Sequence, residues 1–397
     1  MALSSRRTFV LAAVLAACAT DSSGPPTPVE TVEIAVPAPL AVGSAIQLQV
    51  TLHDADGAQL TGRTITWSTS DPAVATVSGA GMVSGLTLGS ATITATSEGK
   101  SGSTALSVIP GPPAALVFTR QPSLVIAGAS IAPGVEVTAR DAQGNTATGF
   151  SGAVTIAIAA NPGGAALGGA PVASAVNGVV VFPNLHIDKS GTGYTLSATA
   201  GSITSAPSVA FDVIAGPPAQ LAFTALPGTA RAGVTIAPPI VVHARDVLGN
   251  LATTYGGLVS IALATNPAGG KLSGTKTVAA AGGVVNFIDL SLDKASAGYT
   301  LMVSGAGLAG DTSSALTIVA GPVAPGHSTV VASPSSIMAS NGPSAASVTV
   351  TARDGFDNPV IGATVVLTAS GTGNALTQPV SPTDNGGVAT GAFSSTV

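Results

Sequence analysis

Gly111-Pro-Pro-Ala-Ala-Leu-Val-Phe-Thr119 returns as Gly216-Pro-Pro-Ala-Gln-Leu-Ala-Phe-Thr224, and the 105 residues that open on each copy align without a gap. Within them Asn161-Pro-Gly-Gly returns as Asn266-Pro-Ala-Gly, and Gly193-Tyr-Thr-Leu196 as Gly298-Tyr-Thr-Leu301. About 46 of the 105 aligned positions are identical. A fixed period of this size marks one domain-sized unit used in tandem. Repeating a whole domain serves reach, valency or spacing, whereas a catalytic pocket rarely needs it. Each copy also carries Val-x-Ala-Arg-Asp-x-x-Gly-Asn, from Val137 to Asn145 and from Val242 to Asn250. The alternating part reads as a strand, and Asp-x-x-Gly-Asn as the turn that ends it.

Composition agrees with strands throughout. Of 397 residues, 46% are apolar, only 8% charged and 3% aromatic, with 49 Gly and 28 Pro. So few charges argue against long solvated helices and coiled coils. The abundance of Val, Ile and Thr argues against disorder, because there is apolar surface to bury. Small and β-branched residues punctuated by Gly and Pro point to an all-β chain. Net charge is −5 and thinly spread, with no Lys/Arg cluster beyond Arg6-Arg7, so no nucleic-acid partner is expected. The single cysteine, Cys18, cannot form an internal disulfide.

Residues 1–18 read as an export signal. Arg6 and Arg7 give a positive start, and the apolar stretch that follows, residues 9–17, is too short to span a bilayer. It ends in Leu15-Ala16-Ala17-Cys18, which resembles the lipobox of bacterial lipoproteins, and that resemblance implies acylation of Cys18. Ser5-Arg6-Arg7-Thr8-Phe9-Val10 also resembles a twin-arginine export motif, so both export routes stay open. Ala19 stands where an aspartate retains many such lipoproteins at the inner membrane, which implies an outer-membrane or cell-surface address. Residues 19–28 then form a flexible tether with a stiffer Pro-rich end.

Four units follow the tether. In residues 29–110, Ile46, Leu48, Val50 and Leu52 alternate with polar positions, as do Ala91, Ile93 and Ala95 with Thr92, Thr94 and Thr96. Trp67-Ser-Thr-Ser-Asp-Pro-Ala-Val-Ala-Thr-Val77, with Gly81-Met-Val-Ser-Gly-Leu86 and Gly89-Ser-Ala-Thr-Ile-Thr-Ala95, resembles the bacterial immunoglobulin-like domain, group 2. The resemblance makes Trp67 the core tryptophan of a central strand, with Val74 and Val77 beside it. Residues 111–215 and 216–321 resemble Ig-like and invasin-like repeats. Tyr194 and Tyr299 precede alternating strands there, a position similar to the tyrosine corner of Ig sandwiches. Residues 322–397 carry Val348-Thr-Val-Thr-Ala-Arg-Asp354, Asp357-Asn-Pro-Val-Ile-Gly-Ala-Thr-Val365, Gly386-Gly-Val-Ala-Thr390 and Phe393-Ser-Ser-Thr396, which resemble the intimin/invasin type, group 1. The pattern stops at Val397 one strand early, so a fragment with an unpaired edge and a less ordered last domain is expected.

The chemistry-bearing residues are sparse. His53, His186, His243 and His327 fall one to a unit and read as exposed strand residues. No Gly-x-Ser-x-Gly elbow stands between strand and helix, and no His/Cys cluster has zinc spacing, so no catalytic residue, cofactor or metal is expected. Asp141, Asp246 and Asp354 recur with Asn145, Asn250 and Asn358 four residues on. A calcium site wants more converging oxygens than one carboxylate and one amide. These pairs read instead as β-turns that bond their own backbone, and Arg140, Arg245 and Arg353 as solvent-facing or locally paired. Asp188-Lys189 and Asp293-Lys294 read as surface pairs. With Trp67, Tyr194 and Tyr299 assigned to core or corner, only Tyr255 is left as an aromatic platform for sugar stacking.

The expected molecule is a set of tandem Ig-like β-sandwiches, beads on a string, in a non-enzymatic envelope lipoprotein acting as stalk or adhesin. Its expected partners are a membrane, through the lipid anchor, and an extracellular protein or polysaccharide. Short Pro-containing linkers predict small interfaces between the beads. The alternative is that these are spacer or polysaccharide-binding modules of a larger extracellular enzyme whose catalytic part lies beyond residue 397.

Overall fold

The computed structural model describes residues 26–340 and 344–397. The export signal, Cys18 and most of the tether lie outside the described residues. Among those described, 36 strands and one 3-10 turn, Pro325–His327, make up the regular structure. The strands follow from the two-residue alternation. In Gly89–Ser97, Ala91, Ile93 and Ala95 point inward with at most 2% exposure while the intervening threonines face out or lie half-buried.

No ladder among the described residues crosses from residues 29–110 into 111–215, from there into 216–321, or from there into 322–397. The chain divides into two compact units. Of the described residues, the first holds those up to Ala115 with Ala139–Ser151 and Val176–Val179, and the second holds Leu116–Thr138, Gly152–Ala175 and those from Val180 to Val397.

In the first unit, Lys100–Ile109 pairs antiparallel with Gly89–Ser97 and parallel with Leu40–Ala41. Thr31–Ile34, Val50–His53 and Gln59–Leu60 form a second sheet, and Ala45–Gln47, Met82–Gly85 and Ala75–Val77 a third. Between them lies a core of Leu40, Leu48, Ala75, Val83, Ile93, Leu106 and Val108. The expected strand through Ile46 and Leu52 is interrupted: Leu48 and Gln49 leave the ladder between Ala45–Gln47 and Val50–His53, each segment pairing with a different sheet. Trp67 lies on Thr66–Thr69, the edge strand of its sheet rather than a central one, and is half-buried. Val74 and Val77 pack against the same core, as expected.

In the second unit, one sheet of residues 111–215 runs Val125–Ile126, Phe211–Ile214, Gly191–Ala200, Ala153–Ala160, Val172–Ser174. The next repeat reproduces it with Thr229–Arg231, Leu316–Val319, Ser296–Gly305, Leu258–Thr265 and Thr277–Ala279. One substitution changes the strand pairing between the twins. Asp311 stands where the earlier copy has Ala206, and its carboxylate accepts the Phe223 N–H at 2.9 Å. Leu308–Thr312 thereby becomes a five-residue strand that also pairs with Gln220–Ala225 and joins the two sheets. Residues 322–397 give one four-stranded sheet, Thr329–Ser333, Ala345–Thr351, Val388–Ser395, Asn374–Thr377. Residues 363–367 alternate half-buried and exposed, yet among the described residues they enter no ladder. The Gln378 side-chain amide bonds the Leu367 N–H and carbonyl, at 2.7 and 2.9 Å, as a neighbouring strand would.

Candidate functional site: the turns at the domain junctions

The Asp-x-x-Gly-Asn segments are turns, as the residue types require. The Asp141 carbonyl accepts the Gly144 N–H, and Gly144 and Gly249 take left-handed backbone at φ 85 and 81°. In the last domain Asp357 occupies the glycine position at φ 63°, a conformation that Asp tolerates better than most residues. Each Arg before the turn pairs locally, donating from Nη1 to the carbonyl of Gly144, Gly249 or Asp357 at 2.7–2.8 Å.

The turns do more than close on themselves. Each Asp is buried, at 4, 1 and 1% exposure for Asp141, Asp246 and Asp354. Asp246 Oδ1 accepts the backbone N–H of Leu248 and Asn250, while Oδ2 accepts the Asn250 side-chain amide and the Gly216 N–H of the interdomain linker. Asp354 repeats the set with Phe356, Asn358 and Gly321, and Asp141 with Gln143, Asn145 and Gly111. A carboxylate offers about four acceptor positions, and four N–H donors fill them. The carboxylate therefore bonds donors here and is no cation ligand in this arrangement.

The linker chemistry explains why this works. In Gly111-Pro-Pro-Ala114 and Gly216-Pro-Pro-Ala219 the prolines carry no N–H, so only Gly and Ala can donate, while Gly321-Pro-Val-Ala324 replaces the second proline with Val323 and keeps the same Gly and Ala donors. The Gly N–H goes to the Asp carboxylate. The N–H of Ala114, Ala219 and Ala324 goes to the carbonyl of Arg140, Arg245 and Arg353 at 2.7–2.8 Å. Both ends of the linker are thus clamped onto the Arg-Asp pair.

The asparagines reach across the two junctions of the second unit. Asn250 Nδ2 donates to the Asp188 carbonyl at 2.9 Å, and its Oδ1 accepts the Ser190 N–H at 3.0 Å. Asn358 does the same with the Asp293 carbonyl at 2.8 Å and the Ala295 N–H at 2.9 Å. Lys189 Nζ donates to the Leu248 carbonyl, and Lys294 Nζ to the Phe356 carbonyl, at 3.2 and 2.6 Å. Asp188 and Lys189 therefore do not form the expected surface pair, nor do Asp293 and Lys294. Each lysine serves the next domain's turn, and each aspartate side chain holds its own domain, accepting from Ala166 N or Lys271 N. Tyr194 and Tyr299, both fully buried, donate from their hydroxyls to the carbonyls of Lys189 and Lys294 at 2.9 Å. These tyrosines lie within strands rather than before them, and they fix the backbone that the neighbouring turn grips.

A glycine completes each contact. The residue two after the Asp rests on a left-handed glycine of the preceding domain: Gln143 on Gly43, Leu248 on Gly128, Phe356 on Gly233. A Cβ on Gly128 would stand 2.8 Å from Leu248 Cδ1, and one on Gly43 2.6 Å from Gln143 Nε2. Sequence reading did not single these glycines out, although Ala127-Gly128 and Ala232-Gly233 recur at the repeat spacing.

Electrostatics favour the charged form. Burial pushes the Asp246 carboxyl up, but bonds from the Asn250 side chain and from the Gly216, Asn250 and Leu248 backbone outweigh it and hold it below its ordinary 3.8. Asp354 and Asp141 are shifted the same way by the same balance. Burial raises Tyr194 and Tyr299 above 10, keeping both hydroxyls protonated donors.

The histidines are scattered. His327 lies in the 3-10 turn rather than on a strand and meets Asp357 Oδ1 at 2.7 Å. His53, His186 and His243 are half-buried on strands rather than exposed. Among the described residues no three His, Cys, Asp or Glu side chains gather as a metal cluster, and no helix is long and apolar enough to cross a membrane. Tyr255 packs against the core of its own domain, so it is no free aromatic platform.

Comparison with known proteins places the ends of the chain. Residues 28–108 match the family model described as bacterial Ig-like domain (group 2), and residues 327–397 the model of bacterial Ig-like domain (group 1). Among curated proteins, none matches the sequence significantly. Similar solved structures include the FdeC adhesin of Escherichia coli, 17% identical over 72% of this chain and 90% of that one, with a TM-score of 0.39. Another is Yersinia pseudotuberculosis InvD, 14% identical over 72% and 96%, with a TM-score of 0.31. A third is surface layer protein SbsC domains 4–9, 19% identical over 78% and 49%, with a TM-score of 0.24. Superpositions this loose carry no argument about function. The family matches thus place a group 2 bacterial Ig-like domain at residues 28–108 and a group 1 bacterial Ig-like domain at residues 327–397, in a chain built of tandem β-sheet domains.

Proposed function

We propose that the chain is a non-enzymatic lipoprotein of the cell envelope, anchored through Cys18, whose Ig-like domains form a stalk or adhesin outside the membrane. The observation that carries the reading is the pair of junctions gripped by Asn250 and Asn358 with one set of bonds. A chain that repeats chemistry of this kind at the joints between its domains is suited to holding a distal part at a distance. The sparse charge, 8% of residues, fits a passive role.

The test is made on whole cells. Radiolabelled palmitate is expected to enter the wild-type protein and not Cys18→Ser, and the variant is expected to leave the membrane fraction. Protease added to intact cells is expected to degrade the wild-type chain. A chain that protease reaches only after the outer membrane is opened would face the periplasm, and the stalk reading would be wrong.

A further inference from the structure

We infer that the Asp246–Asn250 and Asp354–Asn358 turns, each with the Asp-Lys turn of the domain before it, form metal-free locks that make the two junctions of the second unit stiff joints. The inference stands on the geometry of the joints and holds whether the protein is a stalk, an adhesin or an enzyme's spacer.

Three observations carry it. The bonds across each joint come from both sides: the asparagine amide bonds a carbonyl and an N–H of the preceding domain, and the lysine of that domain returns a bond to the turn. An amide that bonds two backbone groups at once fixes rotation as well as separation. Next, a bulky side chain, Leu248 or Phe356, is seated on a glycine, and both partners are held: Gly128 N–H bonds the Ile187 carbonyl and Gly233 N–H the Leu292 carbonyl, while the Leu248 and Phe356 N–H groups bond the Asp246 and Asp354 carboxylates. Finally, the carboxylate at the centre is saturated by N–H donors, so no cation is needed to hold the turn. A calcium ion could stiffen such a joint only by gathering several carboxylate and carbonyl oxygens at one point. Here hydrogen bonds supply the same constraint.

The lock has a sequence signature that the chain itself varies. Gly-Pro-Pro-Ala with Ala-Arg-Asp-x-x-Gly-Asn marks the Asn250 joint, changes to Gly321-Pro-Val-Ala324 with Ala352-Arg-Asp-Gly-Phe-Asp-Asn358 at the Asn358 joint, and occurs at residues 111–114 and 139–145 as well, where Gly43 seats Gln143. The domain before that turn has no Asp-Lys, and among the described residues the Asn145 amide nitrogen bonds only the Asp141 carboxylate. Asn145 is therefore an internal control.

Double electron–electron resonance on the full chain tests the inference. Cys18→Ser removes the one native thiol, and Thr155→Cys with Ser260→Cys places spin labels at equivalent exposed positions on either side of the joint that Asn250 grips. A narrow distance distribution is expected, unchanged by EDTA or by added calcium. Asn250→Ala is expected to lose the narrow peak, and Asn145→Ala to keep it. Lys189→Met, which removes an exposed head group whose bond goes to the next domain's turn, is expected to broaden the peak with circular dichroism unchanged. A wild-type distribution that is broad, or that narrows only with calcium, overturns the inference. So does a peak that stays narrow in both Asn250→Ala and Lys189→Met, or one that Asn145→Ala broadens equally.

Discussion

At the residue scale the decisive group is the buried aspartate. Asp246 and Asp354 are held ionised because four N–H donors point at each carboxylate. Replacing Asp246 with Asn turns one oxygen into a donor that faces donors, which leaves buried N–H groups unpaired at a cost of about 2 kcal/mol. Chemical denaturation of Asp246→Asn is expected to show that loss. The pH dependence follows in sign. Both carboxyls have folded pKa values below 3.8, so their contribution is complete above the unfolded value and is lost as pH falls through the folded one. Unfolding midpoints are expected to hold steady from neutral pH down to about 5 and to fall below about 4. Asp246→Asn is expected to fall less over that acid range. Tyr194 makes a smaller point of the same kind. Its hydroxyl is the only part that bonds the Lys189 carbonyl, and Tyr194→Phe is expected to cost about 1 kcal/mol, read by denaturation.

At the element scale, glycine placement decides how closely segments approach. Gly81 turns at φ 79° under the indole of Trp67, and a Cβ there would stand 2.8 Å from Trp67 Cζ2. Gly81→Ala combines a left-handed alanine with an overpacked ring, and a loss of about 2 kcal/mol is expected. Trp67 is the one tryptophan, so its fluorescence reports this domain alone, and the emission is expected to shift to longer wavelength as the ring is pushed out. The alternation that marks strands in Gly89–Ser97 also exists in residues 363–367, where no ladder forms among the described residues. Alternation records which side chains one face buries. Pairing needs a second strand in register, and that is a property of another part of the chain.

At the scale of the whole molecule, the same joint appears wherever one repeat follows another in the second unit. Because each joint is made by hydrogen bonds and side-chain packing, with the central carboxylate filled by N–H donors, EDTA is expected to leave the thermal unfolding profile of the full chain unchanged. Differential scanning calorimetry with and without the chelator checks this, and a downward shift on chelation would point to a cation in the array.

Domain-sized repetition, the all-β class and the turn chemistry of Asp246 to Asn250 were legible in the sequence, because each depends on neighbours in the chain or on periodicity. The tyrosines were legible as buried residues for the same reason. What Asp188-Lys189 does was not, and neither was the role of Gly128: an Asp-Lys pair and an Ala-Gly step look like surface and turn. The turn residues themselves gave no hint that they hold another domain, since an asparagine bonding its own backbone and one reaching a residue 62 positions away leave the same trace in a sequence. Only the tertiary structure brings the end of one sandwich against the start of the next. Hydrogen-bond partners distant in the chain are set by that approach, and by nothing local to either residue.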